Sequence, residues 1–255
     1  MHSSLIYLIL VFIASIVAGV MNAIAGGGRF IAFPVLLFAG VPPIVANVTA
    51  SVGVWPSGVT SGLVYRKSVE TPKRTLILLS IASFAGSLLG AWLLLHTPGR
   101  IFERMIPPLL IFAATLFSIS GPVRRVAERM SIRSEHLMAM AAIGQFTVAI
   151  YGGYFGAGMG VLMLSLFSLT LSPNIHSTNG VRSLCATVIN TTAVVVFILG
   201  HRIDWWFAAA MAAGTTLGGT AGAMGMRRLD PALARRIVLL LVWGMTLAYV
   251  IKIGV

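Results

Sequence analysis

Apolar residues run along this chain in long continuous stretches, not in the short alternating segments of a transmembrane β-barrel. The long runs cover about 5–24, 44–65, 75–96, 101–119, 136–155, 178–199, 204–225 and 233–253, each near the ~20 residues a membrane span needs. Two shorter runs, 30–39 and 158–171, each follow a glycine cluster, Gly26-Gly27-Gly28 and Gly156-Ala157-Gly158. Ten helical residues reach only about 15 Å, half of the ~30 Å hydrocarbon core. The pattern predicts an all-α polytopic membrane protein with about eight full transmembrane helices and two short, broken or half-helix segments. The opening Met1-His2-Ser3-Ser4 has no Lys or Arg, so it lacks the basic start of a secretory signal. Segment 5–24 is therefore read as a retained helix.

Composition agrees. Of 255 residues 58% are hydrophobic and 9% charged, with a mean hydropathy of +0.96; soluble domains carry roughly a quarter charged residues. A soluble fold of this length cannot hide so much apolar surface, so the bilayer is the solvent. The lone Cys185 excludes an internal disulfide and any multi-cysteine metal site.

The halves correspond. A shift of 130 residues lays Gly156 and Gly158 on Gly26 and Gly28, and Pro173 on Pro43. A shift of 132 lays Gly214, Gly218 and Gly222 on Ala82, Gly86 and Gly90. Such offsets indicate an internal duplication: a first repeat at 1–119, a polar basic linker at 120–135 and a second repeat at 136–255. Broken segments at matching places in two repeats point to a transporter's binding site.

Eighteen Lys and Arg against six acids give a net charge of +12. In a membrane protein this excess marks cytoplasmic loops rather than nucleic-acid binding. If the short segments are re-entrant, the two faces hold ten and seven basic residues; if they cross, the split is thirteen to four, Arg182 lying within a span. The charge rule thus favours inverted repeats with both termini outside and basic loops inside. The shortness of 30–39 argues the other way.

No acid lies at the centre of a span: Glu70, Glu103, Glu128, Glu135, Asp204 and Asp230 all fall in loops or at span ends. That disfavours a carboxylate proton relay, a sodium site and a two-carboxylate hydrolase. Arg29 and Arg182 lie near the breaks with no acid close in sequence. A guanidinium in lipid costs several kcal/mol unless it reaches headgroups or meets an anion. Helix N-termini at Gly26, Gly27, Gly28, Gly156 and Gly158 would offer backbone N–H groups to that anion.

Polar side chains gather at both breaks: Asn22, Asn47, Thr49 and Ser51 in the first half, His176, Ser177, Thr178, Asn179, Ser183 and Asn190 in the second. Singly, each suits an interhelical hydrogen bond worth well under ~2 kcal/mol. Together they suit the lining of a site, where His176 is placed to titrate. The ladder Gly214, Gly218, Gly222, with Gly86 and Gly90, reads as close helix packing. Trp205 and Trp206 beside Asp204 read as an interfacial anchor.

The string Met21-Asn22-Ala23-Ile24-Ala25-Gly26-Gly27-Gly28, with Gly40-Val41-Pro42-Pro43 after the short run, resembles the opening signature of the TauE/SafE family. Ala46-Asn47-Val48-Thr49, Trp55-Pro56, Pro98-Gly99-Arg100, Asn179-Gly180-Val181-Arg182-Ser183 and Gly200-His201-Arg202-Ile203-Asp204-Trp205 resemble its later motifs, over about residues 17–250. Thr49-Ala50-Ser51 departs from the family's common Thr-Asn-Lys, and Arg182 stands where Lys is common. The resemblance implies a bacterial inner-membrane exporter of small sulfur-containing anions such as sulfite or organosulfonates. An alternating-access transporter with no cofactor, a small anionic substrate and a lipid surround is the leading expectation, with self-association left open. The alternatives are an intramembrane enzyme acting on an anionic lipid, which lacks a nucleophile–base pair here, and a non-transporting scaffold or sensor.

Overall fold

The computed structural model describes residues 2–25, 27–65, 69–129, 137–171 and 175–225, and isolated positions between Arg236 and Ile251. The continuous part folds as α1 (His2–Ala25), α2 (Arg29–Phe38), α3 (Pro43–Tyr65), α4 (Lys73–His96), α5 (Gly99–Arg129), α6 (Leu137–Tyr154), α7 (Met159–Thr170), α8 (Ile175–Leu199) and α9 (Trp205–Gly225). No strand occurs among the described residues. Each long run expected before residue 226 coincides with a long helix, and the two short runs are α2 and α7. The run at 233–253 lies largely outside the described residues. So does much of the stretch expected to link the repeats, although α5 continues into it as far as Arg129.

Among the described residues four helices are long and apolar enough to cross a membrane. They are Leu5–Asn22 of α1, Lys73–His96, Leu137–Tyr154 and Ser177–Leu199 of α8, with mean hydropathies of 2.5, 2.0, 1.3 and 1.8. Their faces are reversed relative to a soluble helix. On α1 the large Ile6, Ile9, Leu10 and Ile13 point outward, while Ser15, Ala18 and Gly19 face the protein. On α4, Ile77, Ile81 and Phe84 point outward, while Ser83, Gly86, Ser87 and Gly90 are buried. Lipid covers large side chains at no cost, so small residues are kept for the contacts that bring backbones together. The chain is a multi-pass helical membrane protein.

Two glycine seams show this closeness. A methyl group built on Gly86 would strike Phe146 O, on Gly90 Ile150 O, and on Gly153 Ser87 O. The other seam repeats these contacts: Gly214 against Phe12 O, Gly218 against Ile16 O, Gly19 against Thr215 O. Thus α4 packs on α6 as α9 packs on α1. The matched contacts pair Gly86 with Gly214 and Gly90 with Gly218. The expected pairing of Gly86 with Gly218 and Gly90 with Gly222 is corrected by one helical turn.

Successive contacts fix helix directions. Thr49 meets Asp204, Gly53 meets Thr215 and Ser57 meets Gly219, so α3 and α9 run the same way. Gly214 with Phe12 and Gly218 with Ile16 place α1 in that direction too. Gln145 with Ser83 and Gly90 with Tyr154 align α6 with α4. Ser83 with Cys185 and Ser87 with Ile189 add α8 to that second set. Between the sets direction reverses: Trp55 of α3 meets Thr191 of α8, and Gly58, further along α3, meets Thr187, further back along α8.

The chain turns sharply after α1. A methyl on Gly28 would lie 2.7 Å from Ala18 O and 2.9 Å from Asn22 Cβ, so α2 starts back against α1. It is buried on nearly every side, through Phe30, Ile31, Phe33, Leu36 and Leu37. Phe33 packs edge-on against Phe155 and Phe102, with ring centroids 5.4 and 6.5 Å apart. At α9, Asp204 Oδ1 accepts from the Trp206 and Phe207 backbone N–H groups, an N-cap beside the exposed Trp205 and Trp206. Trp55 is no interfacial anchor, since its Nε1 donates to Thr191 Oγ1 between α3 and α8.

Candidate functional site

Beside the α3–α8 crossing lies a cavity of about 70 Å³. At ~10–15 Å³ for each water-sized centre it has room for roughly five such groups. That suits a small ion. Asn22 comes from α1, Arg29 from the start of α2, and Val54 and Gly58 from α3. Gly156, Met159 and Gly160 come from the second break, and Arg182, Ser183, Ala186 and Asn190 from α8. Among the described residues the lining holds two guanidinium groups and no carboxylate. In a low-dielectric surround, that arrangement attracts an anion.

Arg29 is 7% exposed. Its Nη1 donates to Phe155 O at 2.8 Å and, at longer range, to Gly152 O at 3.4 Å; its Nη2 donates to Asn190 Oδ1 at 3.2 Å. The first residue of α2 is thereby fixed to the end of α6 and the middle of α8. The carbonyls at a helix C-terminus carry partial negative charge and suit a cation, yet they leave its full charge uncancelled. The guanidinium lies directly against Gly156, which only a residue without a side chain allows. Gly156 and Gly158 also hold positive φ, +77° and +76°, which favours glycine again.

Arg182 reaches the same space from α8. A methyl on Gly160 would lie 3.1 Å from Arg182 Nη1, so this glycine admits the guanidinium to the start of α7. The neighbouring Ser183 Oγ is buried with no hydrogen-bond partner among the described residues. Asn22 Nδ2 donates to Ser57 Oγ at 2.8 Å, and Ser57 Oγ donates to Val54 O at 2.8 Å.

Of the residues expected at the site, Asn22, Arg29, Gly156, Arg182, Ser183 and Asn190 are brought together. Asn47, Thr49 and Ser51 are not. Asn47 Nδ2 donates to Tyr154 O at 2.9 Å, Thr49 Oγ1 accepts from Asp204 N at 3.0 Å, and Ser51 Oγ donates to Asn47 O at 2.7 Å. All three are buried in helix packing. Gly27, Gly28, Gly158 and Asn179 do not line the cavity either. Gly26 and the His176 side chain lie outside what is described. The expected offer of backbone N–H groups at α2 is spent locally: Phe30 N donates to Gly27 O, and Ile31 N and Ala32 N to Gly28 O. What the first break brings is the Arg29 side chain.

Sequence reasoning missed Val54, Gly58, Met159, Gly160 and Ala186. Only Gly160, next to the second glycine pair, carried a signal. Among the described residues no three His, Cys, Asp or Glu gather as a metal site. Cys185 sits apart in a buried apolar cluster with Leu79, Ala149 and Met163.

Comparison with known proteins agrees with this picture. The sequence pattern of the family described as "Sulfite exporter TauE/SafE" matches residues 11–249. The chain is 28% identical to a "Probable membrane transporter protein" of Haemophilus influenzae, over 94% of this chain and 92% of that one. It is 28% identical to YfcA of Escherichia coli K12 (87% and 81% covered) and 26% identical to YunE of Bacillus subtilis (94% and 97%), both named in the same way. No solved structure matches it. A cavity lined by two guanidinium groups, set in a multi-pass helical membrane protein whose sequence matches one family almost end to end, leads to one assignment: the chain belongs to the TauE/SafE family of membrane transporters.

Proposed function

We propose that this protein is a secondary transporter that exports a small anion, of the size and kind of sulfite or a short organosulfonate. The observation that carries the reading is the cavity lined by Arg29, Arg182, Asn22, Asn190 and Ser183 and, among the described residues, by no carboxylate. The anion rests between the guanidinium groups, and its oxygens take N–H donors from Arg182 and Asn190. A planar guanidinium at position 182 suits the paired oxygens of a sulfonate better than an ammonium does. The substrate leaves chemically unchanged, and no cofactor takes part.

Two inverted repeats are part of this proposal. It is supported by the exchanged packing, with α1 on α9 as α6 is on α4, and by the opposed directions of α3 and α8. The basic loops then face the cytoplasm of a bacterial inner membrane. Alternating access comes from movement between the two parallel sets of helices around the cavity. A negative-inside potential favours anion exit by ~2.3 kcal/mol per charge per 100 mV, so export needs no coupling carboxylate.

The test is flux of labelled sulfite, taurine and sulfoacetate in proteoliposomes carrying the wild type or Arg182→Ala. We expect flux of at least one of these in the wild type. Loss of a charged hydrogen bond of ~1.5–3 kcal/mol should lower kcat/KM about 10- to 100-fold in the variant. Unchanged transport would take Arg182 out of the site, and no flux of any anion by folded protein would overturn the reading.

A further inference from the structure

The two cavity amides have opposite polarity, and each orientation is set by its partner. Arg29 Nη2 can only donate, so the atom of Asn190 facing it at 3.2 Å is the carbonyl oxygen, Oδ1. Asn190 is left to offer Nδ2, which lies 3.7 Å from where a methyl on Gly58 would stand, at the cavity wall. On the opposite side, Ser57 donates its single proton to Val54 O, so its oxygen accepts from Asn22. The amide of Asn22 therefore gives its NH₂ group to Ser57 and offers Oδ1. Neither Asn22 Oδ1 nor Asn190 Nδ2 has a hydrogen-bond partner among the described residues. The cavity lining is thus not uniformly donating: donors from Arg182 and Asn190 share it with one carbonyl acceptor from α1. Between them Ser183 Oγ, buried and without a described partner, can serve either role.

We infer that the cavity recognises a small monoanion that also carries one hydrogen-bond donor, with Asn22 Oδ1 receiving that donor and Ser57 acting as the positioning residue. This rests on the anion-transport reading and narrows it. An oxyanion with no donor of its own leaves Asn22 Oδ1 facing a lone pair, an unfavourable contact. The donor can be the acid proton of a half-ionised oxyanion such as hydrogensulfite, or the uncharged amino group of an amidosulfonate such as sulfamate. The small volume favours the former.

Sulfamate and methanesulfonate make the matched probes. Both are monoanions of nearly equal shape, and only sulfamate replaces the methyl group with a donor. Binding to purified protein by titration calorimetry, and flux in proteoliposomes, are both measured as a sulfamate-to-methanesulfonate ratio. We expect a ratio of about ten in the wild type, the worth of one hydrogen bond. It should fall to about one in Asn22→Leu and in Ser57→Ala, and return in Ser57→Thr, which restores the hydroxyl. Ser57→Ala leaves every cavity side chain in place, so it also covers the case in which Asn22→Leu folds poorly. A wild-type ratio near one, or a ratio that Ser57→Ala does not move, overturns the inference even if both anions are transported. A preserved binding preference without flux keeps the inference and overturns the transport reading. Hydrogensulfite, competed against sulfamate, then tests the acid proton as a source of the donor.

Discussion

Gly214→Ala and Gly86→Ala should cost the same, because they meet the same obstacle in two places. A methyl at Gly214 would stand 2.6 Å from Phe12 O and 2.8 Å from Ser15 Cβ. At Gly86 it would meet Phe146 O and stand 2.8 Å from Ala149 Cβ. Carbon–oxygen contacts close at about 3.3 Å, so each helix pair must part by roughly 0.5–1 Å. The obstacle is backbone and cannot turn aside. A gap of that size forfeits a quarter to a half of the dispersion energy along the seam. The expected loss is therefore in the upper part of the overpacking range, about 2–3 kcal/mol for each variant. Gly99→Ala is the control, since nothing lies within 4 Å of a methyl there. Equilibrium unfolding in mixed micelles measures all three. The seams share no partner, so the double variant should be additive to about 0.5 kcal/mol. The reasoning fails if Gly214→Ala is within about 0.5 kcal/mol of Gly99→Ala, or if the twins differ by more than about 1 kcal/mol.

Arg29→Lys keeps the charge but cannot hold Phe155 O and Asn190 Oδ1 at once, and should lower stability by about 1–3 kcal/mol in the same unfolding assay. Thr49→Val removes the acceptor for Asp204 N and should cost about 1 kcal/mol; KM for the transported anion should not move, because the side chain is away from the cavity. Ser183→Ala removes a buried oxygen without a described partner, so the empty protein should unfold no more easily, and up to about 1 kcal/mol less easily, while anion affinity in calorimetry falls.

The place of each described helix was readable because a bilayer demands long apolar runs, and both short helices showed in their glycine breaks; α5 runs on to Arg129, where the polar stretch carried no sign of helix. The offset of 130 holds at those breaks, where α2 starts at Arg29 and α7 at Met159. The offset of 132 read along the seams fails, because small residues spaced by four match themselves again after one turn of helix. Gly218 could therefore be laid on Gly86 as easily as on Gly90. The site was half readable for a related reason. Charge and polarity marked Asn22, Arg29, Arg182 and Asn190, but nothing local tells Asn47 that Tyr154 O, 107 residues away, will take its amide. Residues that shape the cavity by being small or apolar, such as Gly58 and Ala186, carry no chemistry to notice.

The seams also bear on how the molecule is made. The first half enters the membrane with Gly19 on α1 and Gly86 and Gly90 on α4 facing helices not yet synthesised. Thr215 closes on Gly53 across 162 residues, and Asp204 on Thr49 across 155. Until α9 and α6 arrive, these polar and backbone surfaces have only lipid beside them. Insertion can proceed helix by helix, whereas assembly must wait for nearly the whole chain. A ribosome stalled at the middle of this message would leave α1 and α4 without the helices against which their seams close.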